Sequence, residues 1–468
     1  MFLDGWGFQA VHRPYPDPPA PPVPPMTPPA PPPTPEAASP IIDLDSDVEE
    51  EPEEYYLPEF WLQLQSRVRR EYPDQRHSSF LAMDRDALPS SQPAELELLH
   101  VFWHDGMLDH DTGSGVFDTG FDPGFLEVLD KHPENADRVR NMVSILRKGP
   151  ISRFLTWHSG RPAHASELLS FHSPEYIESL IQANARGSTE LCAGTFLNPG
   201  SWGVALLAAG STMLAMDHIL SGRVNLAYSL VRPPGHHAQP TRADGYCFLN
   251  NAGLAVKIAL KAGVKRIVTI DIDVHYGNGT AEGFYDTNDV LTVSLHMNHG
   301  SWGPSHPQSG SIDELGEGSG YGYNLNIPLP NGSGDEGYQY AFDELVVPAV
   351  RQYQPEIIVF IVGQDSSMFD PNGRQCLTMD GYRKIGKIVR DMADEHSNGR
   401  LLIVQEGGYH ITYSAYCLHA TIEGVLKVPE PLLEDPIAGY PEDSGITLKV
   451  VDAIKRYWKE TIPFLKDI

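Results

Sequence analysis

The stretch Arg266-Ile267-Val268-Thr269-Ile270-Asp271-Ile272-Asp273-Val274-His275 decides the fold. Its first half is mostly apolar and β-branched, the composition of a strand buried in a parallel sheet. Side chains alternate along a strand, so Asp271, Asp273 and His275 are expected on one face. Two carboxylates and an imidazole at a strand exit are costly to bury unpaired. A divalent metal would satisfy them, because Asp oxygen and His nitrogen both ligate zinc. The alternative is a turn or N-cap in which the acids are solvated.

Other apolar runs repeat the pattern. Residues 101–104, 224–230, 290–296, 357–363 and 401–405 read as strands. Several end in polar residues: His236 and His237 after Pro233-Pro234-Gly235, Asp365 after Gly363-Gln364, and Tyr409 after Glu406-Gly407-Gly408. Open α/β sheets place their sites at the carboxyl ends of strands. These residues should therefore converge, although they span positions 236 to 409. Helical patterns lie between them: Lys131 to about Arg147, opened by Pro133 and acids; Ala205–Ile219; Asn251 to about Ala262; and Thr447–Phe464 near the C-terminus. The expected architecture is a single α/β domain over residues 98–468, with a central, mostly parallel β-sheet flanked by helices. No GxGxxG opens a βαβ unit and no GxxxxGK[ST] occurs, which removes support for dinucleotide and nucleoside-triphosphate readings.

The 468 residues carry 34 basic and 62 acidic side chains, a net charge of −28. That is a poor footprint for direct nucleic-acid binding. It suits basic partners such as lysine-rich protein tails. The four cysteines, Cys192, Cys247, Cys376 and Cys417, form no CxxC pair, which fits a reducing compartment. We see no secretory signal, no apolar run of the ~18 residues needed to span a membrane, and no dense Lys/Arg cluster.

Residues 1–97 read as a Pro-rich and acidic disordered tail. Fifteen of the first 40 residues are proline, a composition for polyproline II rather than a core. Ile41-Ile42-Asp43-Leu44 then leads into an acidic run. One reading is an acidic tail without a partner. The sharper one is a strand-addition peptide resembling a SUMO-interacting motif, with Ile41, Ile42 and Leu44 as the apolar residues. A helix is expected over Leu57–Arg70, and the role of residues 57–97 stays unassigned.

Six segments together resemble the zinc-dependent histone deacetylases of the arginase/deacetylase fold. They are RPPGHHA (232–238), GYCFLNN (245–251), DIDVHYGNGT (271–280), VSLH (293–296), GQDSSMFDP (363–371) and EGGYH (406–410), and HPEN (132–135) also matches. The resemblance covers about residue 98 to at least 428. RPPGHHA and GNGT resemble the class II branch and its bacterial amidohydrolase relatives.

The resemblance implies a hydrolase that removes acetyl groups from Nε-acetyl-lysine in histones or other proteins. One zinc ion would be held by Asp273, His275 and Asp365, with an open position for water and substrate. His236 would pair with Asp271. His237, beside Asn278, would be general base and acid, and Tyr409 would stabilise the oxyanion. A structural potassium ion would sit at Asp271, Asp273, His275, Ser294 and Leu295. The substrate channel would involve Gly245, Tyr246, Trp302, Gly303, Asn372 and Arg138. Two positions depart from the family pattern. Gly303, with Trp302 beside it, stands where a second channel aromatic is usual. Asn372 stands where some polyamine deacetylases carry a glutamate. Deacetylation of small acetylated amines, by the same chemistry, is the alternative substrate class. A non-catalytic corepressor scaffold is a third reading, and an arginase-like two-metal hydrolase lacks enough ligands. The family implies a chromatin regulator and repressor, nuclear or cytoplasmic.

Overall fold

Uninterrupted aliphatic and β-branched runs form the centre of the molecule. A computed structural model of the chain describes residues 97–113, 127, 130–298, 309–437, 439 and 442–468. The first strands are β1 (Leu99–Trp103), β2 (Leu155–Ser159), β3 (Thr189–Cys192), β4 (Thr195–Leu197) and β5 (Leu226–Ser229). They are followed by β6 (Ile267–Asp271), β7 (Val290–Met297), β8 (Asn324–Leu329), β9 (Ile357–Val362) and β10 (Leu401–Gln405). Eight strands form one sheet in the order β2-β1-β5-β10-β9-β6-β7-β8. Every neighbouring pair in it is parallel. The other two, β3 and β4, form an antiparallel hairpin.

Register accounts for the burial. In β5, β6, β7, β9 and β10 every residue is buried. That is the expected state of interior parallel strands covered on both faces. Edge strand β2, Leu-Thr-Trp-His-Ser, is half-exposed. Edge strand β8 holds Pro328, which an edge tolerates because one side of the ladder needs no donor.

Two groups of helices cover the sheet. Ser201–Leu220 packs on Asn251–Lys261 and on β1, β5 and β10, while Tyr413–Val425 packs on Met379–His396 and Ala136–Lys148. Against the expectation from sequence, Ser201–Leu220 is long and apolar enough by length and composition to cross a membrane. Yet most of its residues are buried inside the protein. A helix apolar on all sides is also what a buried core position requires. The helix expected from Lys131 begins at Ala136 instead. Asn135 caps it, its side chain accepting from the Asp137 N–H at 3.0 Å, so the HPEN segment is the loop before the helix.

Strand β6 ends at Asp271, so Asp273 and His275 occupy the turn beyond it. The expected single strand face of Asp271, Asp273 and His275 is therefore not formed. Strands β5, β10, β9 and β6 are consecutive in the sheet. Their carboxyl ends deliver His236 and His237, Tyr409, Asp365, and Asp273 and His275 to one place.

Candidate active site

Two carboxylates converge on one imidazole. His275 Nδ1 lies 3.1 Å from Asp273 Oδ1 and 3.3 Å from Asp365 Oδ2. One ligand atom from each of Asp273, His275 and Asp365 lies within 4.8 Å of the others. Both carboxylates are buried, and Asp365 Oδ2 accepts no hydrogen bond. Glycines form the surrounding wall. A Cβ on Gly363 would sit 2.2 Å from Asp273 Oδ2, and one on Gly407 would sit 2.3 Å from Asp365 Oδ2. Burial, with the Asp273 charge, pushes the Asp365 carboxyl up to about 8. The same burial opposes ionisation of Asp273, but His236 and His275 outweigh it and hold that carboxyl below its ordinary range. Two acids this close cannot both ionise cheaply without a counter-charge. An orphaned buried oxygen, a ring nitrogen and a second carboxylate are the donor set of a catalytic zinc site. The residues present fit the ion.

The adjacent histidines have different partners. His236 Nδ1 lies 2.9 Å from Asp271 Oδ2, and His236 Nε2 lies 3.6 Å from Asp273 Oδ1. Burial opposes protonation of His236, but Asp273 and Asp271 outweigh it and raise its pKa well above the ordinary value. His237 instead faces the Asn278 amide, with Nδ1 2.7 Å from Oδ1. Burial, then the neighbouring His236 and His275, push its pKa well below the ordinary value. Two like groups pushed in opposite directions supply one fixed cation and one neutral proton acceptor.

Tyr409 lies within electrostatic reach of Asp273 and Asp365. Burial, then the charges of Asp273 and Asp365, raise its hydroxyl well above the ordinary value, so it stays an O–H donor. Its backbone N–H donates to Asp370 Oδ2 at 2.7 Å, and the His410 N–H donates to the same oxygen at 3.1 Å. Its ring meets Tyr246 edge-on at 6.0 Å. Asn372 lies in hydrogen-bond contact with the Tyr246 side chain.

Gly245 and Tyr246 both have positive φ, 48° and 69°. A Cβ on Gly245 would fall 2.3 Å from His237 Cδ2. Gly245→Ala is therefore expected to displace the His237 ring and to cost about 1–3 kcal/mol of stability. A fall in both kcat and the urea midpoint, with zinc content kept, checks this.

Arg138 is fully buried. It pairs with Glu134 at 2.9 Å, donates to the Glu406 carbonyl at 2.9 Å, and lies 5.6 Å from the Tyr409 ring centre. Ser294 is the register partner of Asp271, and Leu295 follows it on β7. Trp302 and Gly303 lie outside the described residues, as do Ile41, Ile42, Leu44 and the helix expected over Leu57–Arg70.

Sequence reasoning did not single out four supporting acids. Glu406 Oε2 accepts from the N–H groups of Gly235 at 2.6 Å and His236 at 3.1 Å. Glu134 neutralises Arg138 and Arg232. Asp370 holds the Tyr409 turn, and Asp244 accepts from Asn278. Glu134, Glu406 and Asp370 stand inside the quoted motifs, the one available signal. Most of their partners are distant in sequence.

The histone deacetylase domain family matches residues 132–425. Histone deacetylase 8 of Arabidopsis thaliana is 68% identical over 368 residues, covering 78% of this chain and 98% of that protein. A histone deacetylase-like amidohydrolase of Pseudomonas aeruginosa is 37% identical, covering 66% of this chain and 81% of that one. Among solved structures, the HD domain of HDA15 superposes with a TM-score of 0.67 at 29% identity, covering 79% of this chain and 97% of that one. Matches of this extent, on a chain that gathers a cluster able to hold a metal ion at the carboxyl ends of adjacent strands, place it in the histone deacetylase family as a zinc-dependent deacetylase.

Proposed function

We propose that the chain hydrolyses Nε-acetyl-lysine in histones or other proteins, through a catalytic domain spanning residues 98–468. The observation that carries this is the gathering of the Asp273–His275–Asp365 cluster beside His237, whose Nδ1 is held by Asn278, with Tyr409 delivered to the same end of the sheet. Zinc held by those three residues would supply Lewis-acid polarisation of an amide carbonyl and a water of pKa near ~7. His237 then accepts a proton from the attacking water and returns it to the departing amine. His236 is instead tied to Asp271, with Nδ1 2.9 Å from Oδ2, which leaves His237 to take that proton. The Tyr409 O–H donates to the carbonyl oxygen as negative charge develops there. Gly245, laid against the His237 ring, offers its carbonyl to the substrate N–H. Tyr246 and Asn372 would wall the acyl channel, with Arg138 behind it; Trp302 and Gly303, expected beside them, lie outside the described residues.

Asn372 favours the lysine-peptide reading over small cationic amines, because an amide offers no charge to attract them. Asn372→Glu is expected to raise relative kcat/KM for an acetylated diamine roughly two- to five-fold, the worth of one exposed ion pair. Acetate release from peptide and diamine, measured in parallel, tests both statements. A preference of the unaltered enzyme for diamines would overturn the substrate assignment.

A potassium ion at Asp271, Asp273, His275, Ser294 and Leu295 belongs to the same reading. We further place Ile41, Ile42 and Leu44 as a strand-addition segment for a SUMO-type partner, and the protein in the nucleus, the cytoplasm or both.

A further inference from the structure

His237 is held by a chain of two hydrogen bonds ending in a carboxylate that the mechanism above does not use. His237 Nδ1 lies 2.7 Å from Asn278 Oδ1, and Asn278 Nδ2 donates to Asp244 Oδ2 at 2.9 Å. Gln239 Nε2 donates to the same oxygen at 3.4 Å. Asp244 is buried, at 9% exposure. A carboxylate only accepts hydrogen bonds, whereas an amide has one donor end and one acceptor end. Asp244 therefore dictates which end of Asn278 faces it. The amine end turns to Asp244 and the carbonyl end to His237. A carbonyl accepts only, so His237 must carry its proton on Nδ1. Nε2 is then the nitrogen that accepts a proton on the substrate side.

The backbone of the same residue shapes the channel wall. The Asp244 N–H donates to the Cys247 carbonyl at 3.2 Å, and the Cys247 N–H returns to the Asp244 carbonyl at 2.7 Å. The two residues between them, Gly245 and Tyr246, have φ of 48° and 69°. Positive φ at both central positions is the signature of a type I′ turn. That turn lays Gly245 on the His237 ring and Tyr246 against Tyr409. One residue thus ties the orientation of the proton acceptor to the wall that receives the acyl group.

We propose that Asp244 is a positioning residue that sets the tautomer of His237 through Asn278. This rests on the reading of His237 as proton acceptor. Nothing is transferred to Asp244. When His237 takes up the water proton, its Nδ1–H stays on the ring, and the Asn278 amide, polarised by the carboxylate, stabilises the added charge.

The test is a charge exchange in the full-length, zinc-loaded enzyme. Asp244→Asn is expected to lower kcat roughly 10- to 100-fold, the usual scale for a residue orienting a group in contact with the reaction. KM should stay within about two-fold, because substrate binding is untouched. The ¹⁵N spectrum of the His237 ring should move from a pure Nδ1–H tautomer toward a mixture. Asn278→Asp alone sets two carboxylates against each other and should also lower kcat. The double variant D244N/N278D restores a matched chain, with the new amide donating to the new carboxylate, which accepts from His237. It should regain at least about ten-fold over either single variant, well within the coupling range of groups in contact. Wild-type kcat and tautomer in Asp244→Asn, or a double variant no better than the singles, would overturn the proposal. If a single variant does not fold, recovery of both folding and kcat in the double supports it, and folding regained without kcat contradicts it. His237→Ala retaining wild-type kcat would instead overturn the underlying reading of the base.

Discussion

Tyr409→Phe lowers kcat for amide hydrolysis on the order of 10²–10³-fold, the usual cost of removing one preorganised donor to an oxyanion. The ring is buried among Tyr246 and Arg138, and Phe retains those contacts. Its backbone stays anchored through Asp370. Only the O–H is lost, and it acts where charge develops rather than where the substrate rests. KM should change little, because the interaction belongs to the transition state. Tyr409 is not among the three ligand residues, so zinc content stays at that of the unaltered enzyme. Steady-state kinetics with metal analysis separates this outcome from a collapsed site.

Glu134→Gln is the largest expected loss of stability, about 3–5 kcal/mol, because it leaves buried cations uncompensated. Glu134 Oε1 lies 2.9 Å from Arg138 Nη2 and 2.7 Å from Arg232 Nε, and all three side chains are fully buried. Burial opposes ionisation of Glu134, but Arg232, Arg138 and His110 outweigh it and hold the carboxyl at about 2 against an ordinary 4.5. At ~1.4 kcal/mol per unit, that displacement is worth about 3 kcal/mol. The two arginines move in opposite directions: Arg138 is raised, while burial and the Arg138 charge lower Arg232 despite the shared partner. Arginine is not deprotonated in proteins, so both remain cations and the Glu134 direction governs the stability. A depressed acid pKa stabilises the fold above the unfolded value and loses that contribution as pH falls through the folded one. The Glu134 contribution is thus complete above about pH 4.5 and disappears as pH drops through about 2. Urea midpoints of the unaltered protein and Glu134→Gln at neutral pH check the loss. The difference between them should shrink on acidification, once the unaltered protein has lost the same charge. Removing a cation as well, in Glu134→Gln with Arg138→Met, should recover part of it, since one buried arginine, Arg232, is then left uncompensated instead of two.

The interior of the sheet was legible because strands buried on both faces must be continuous apolar runs. Residues 290–296, 357–363 and 401–405 match β7, β9 and β10 to within about a residue. The edges were not legible. Leu155–Ser159 and Asn324–Leu329 carry polar side chains or a proline that an edge permits and an interior forbids. Alternation was carried too far at Asp271: the strand stops there, and Asp271 turns to His236 while Asp273 and His275 turn to Asp365. The residues of the Asp273–His275–Asp365 cluster and both histidines were legible as polar residues at strand exits. Glu406, Asp370, Glu134 and Asp244 were not. Each serves by meeting groups that only the fold brings near, as Glu406 meets Gly235 and His236 some 170 positions away.

Acetate release from an acetyl-lysine peptide by the zinc-loaded protein tests the central claim most directly. It should be compared with the metal-stripped protein, with protein reloaded with zinc, and with Tyr409→Phe. The account predicts turnover that vanishes on stripping, returns with one equivalent of zinc per chain, and falls in Tyr409→Phe with zinc still bound. Zinc-loaded, folded protein that releases no acetate, or turnover that survives metal removal, would contradict it.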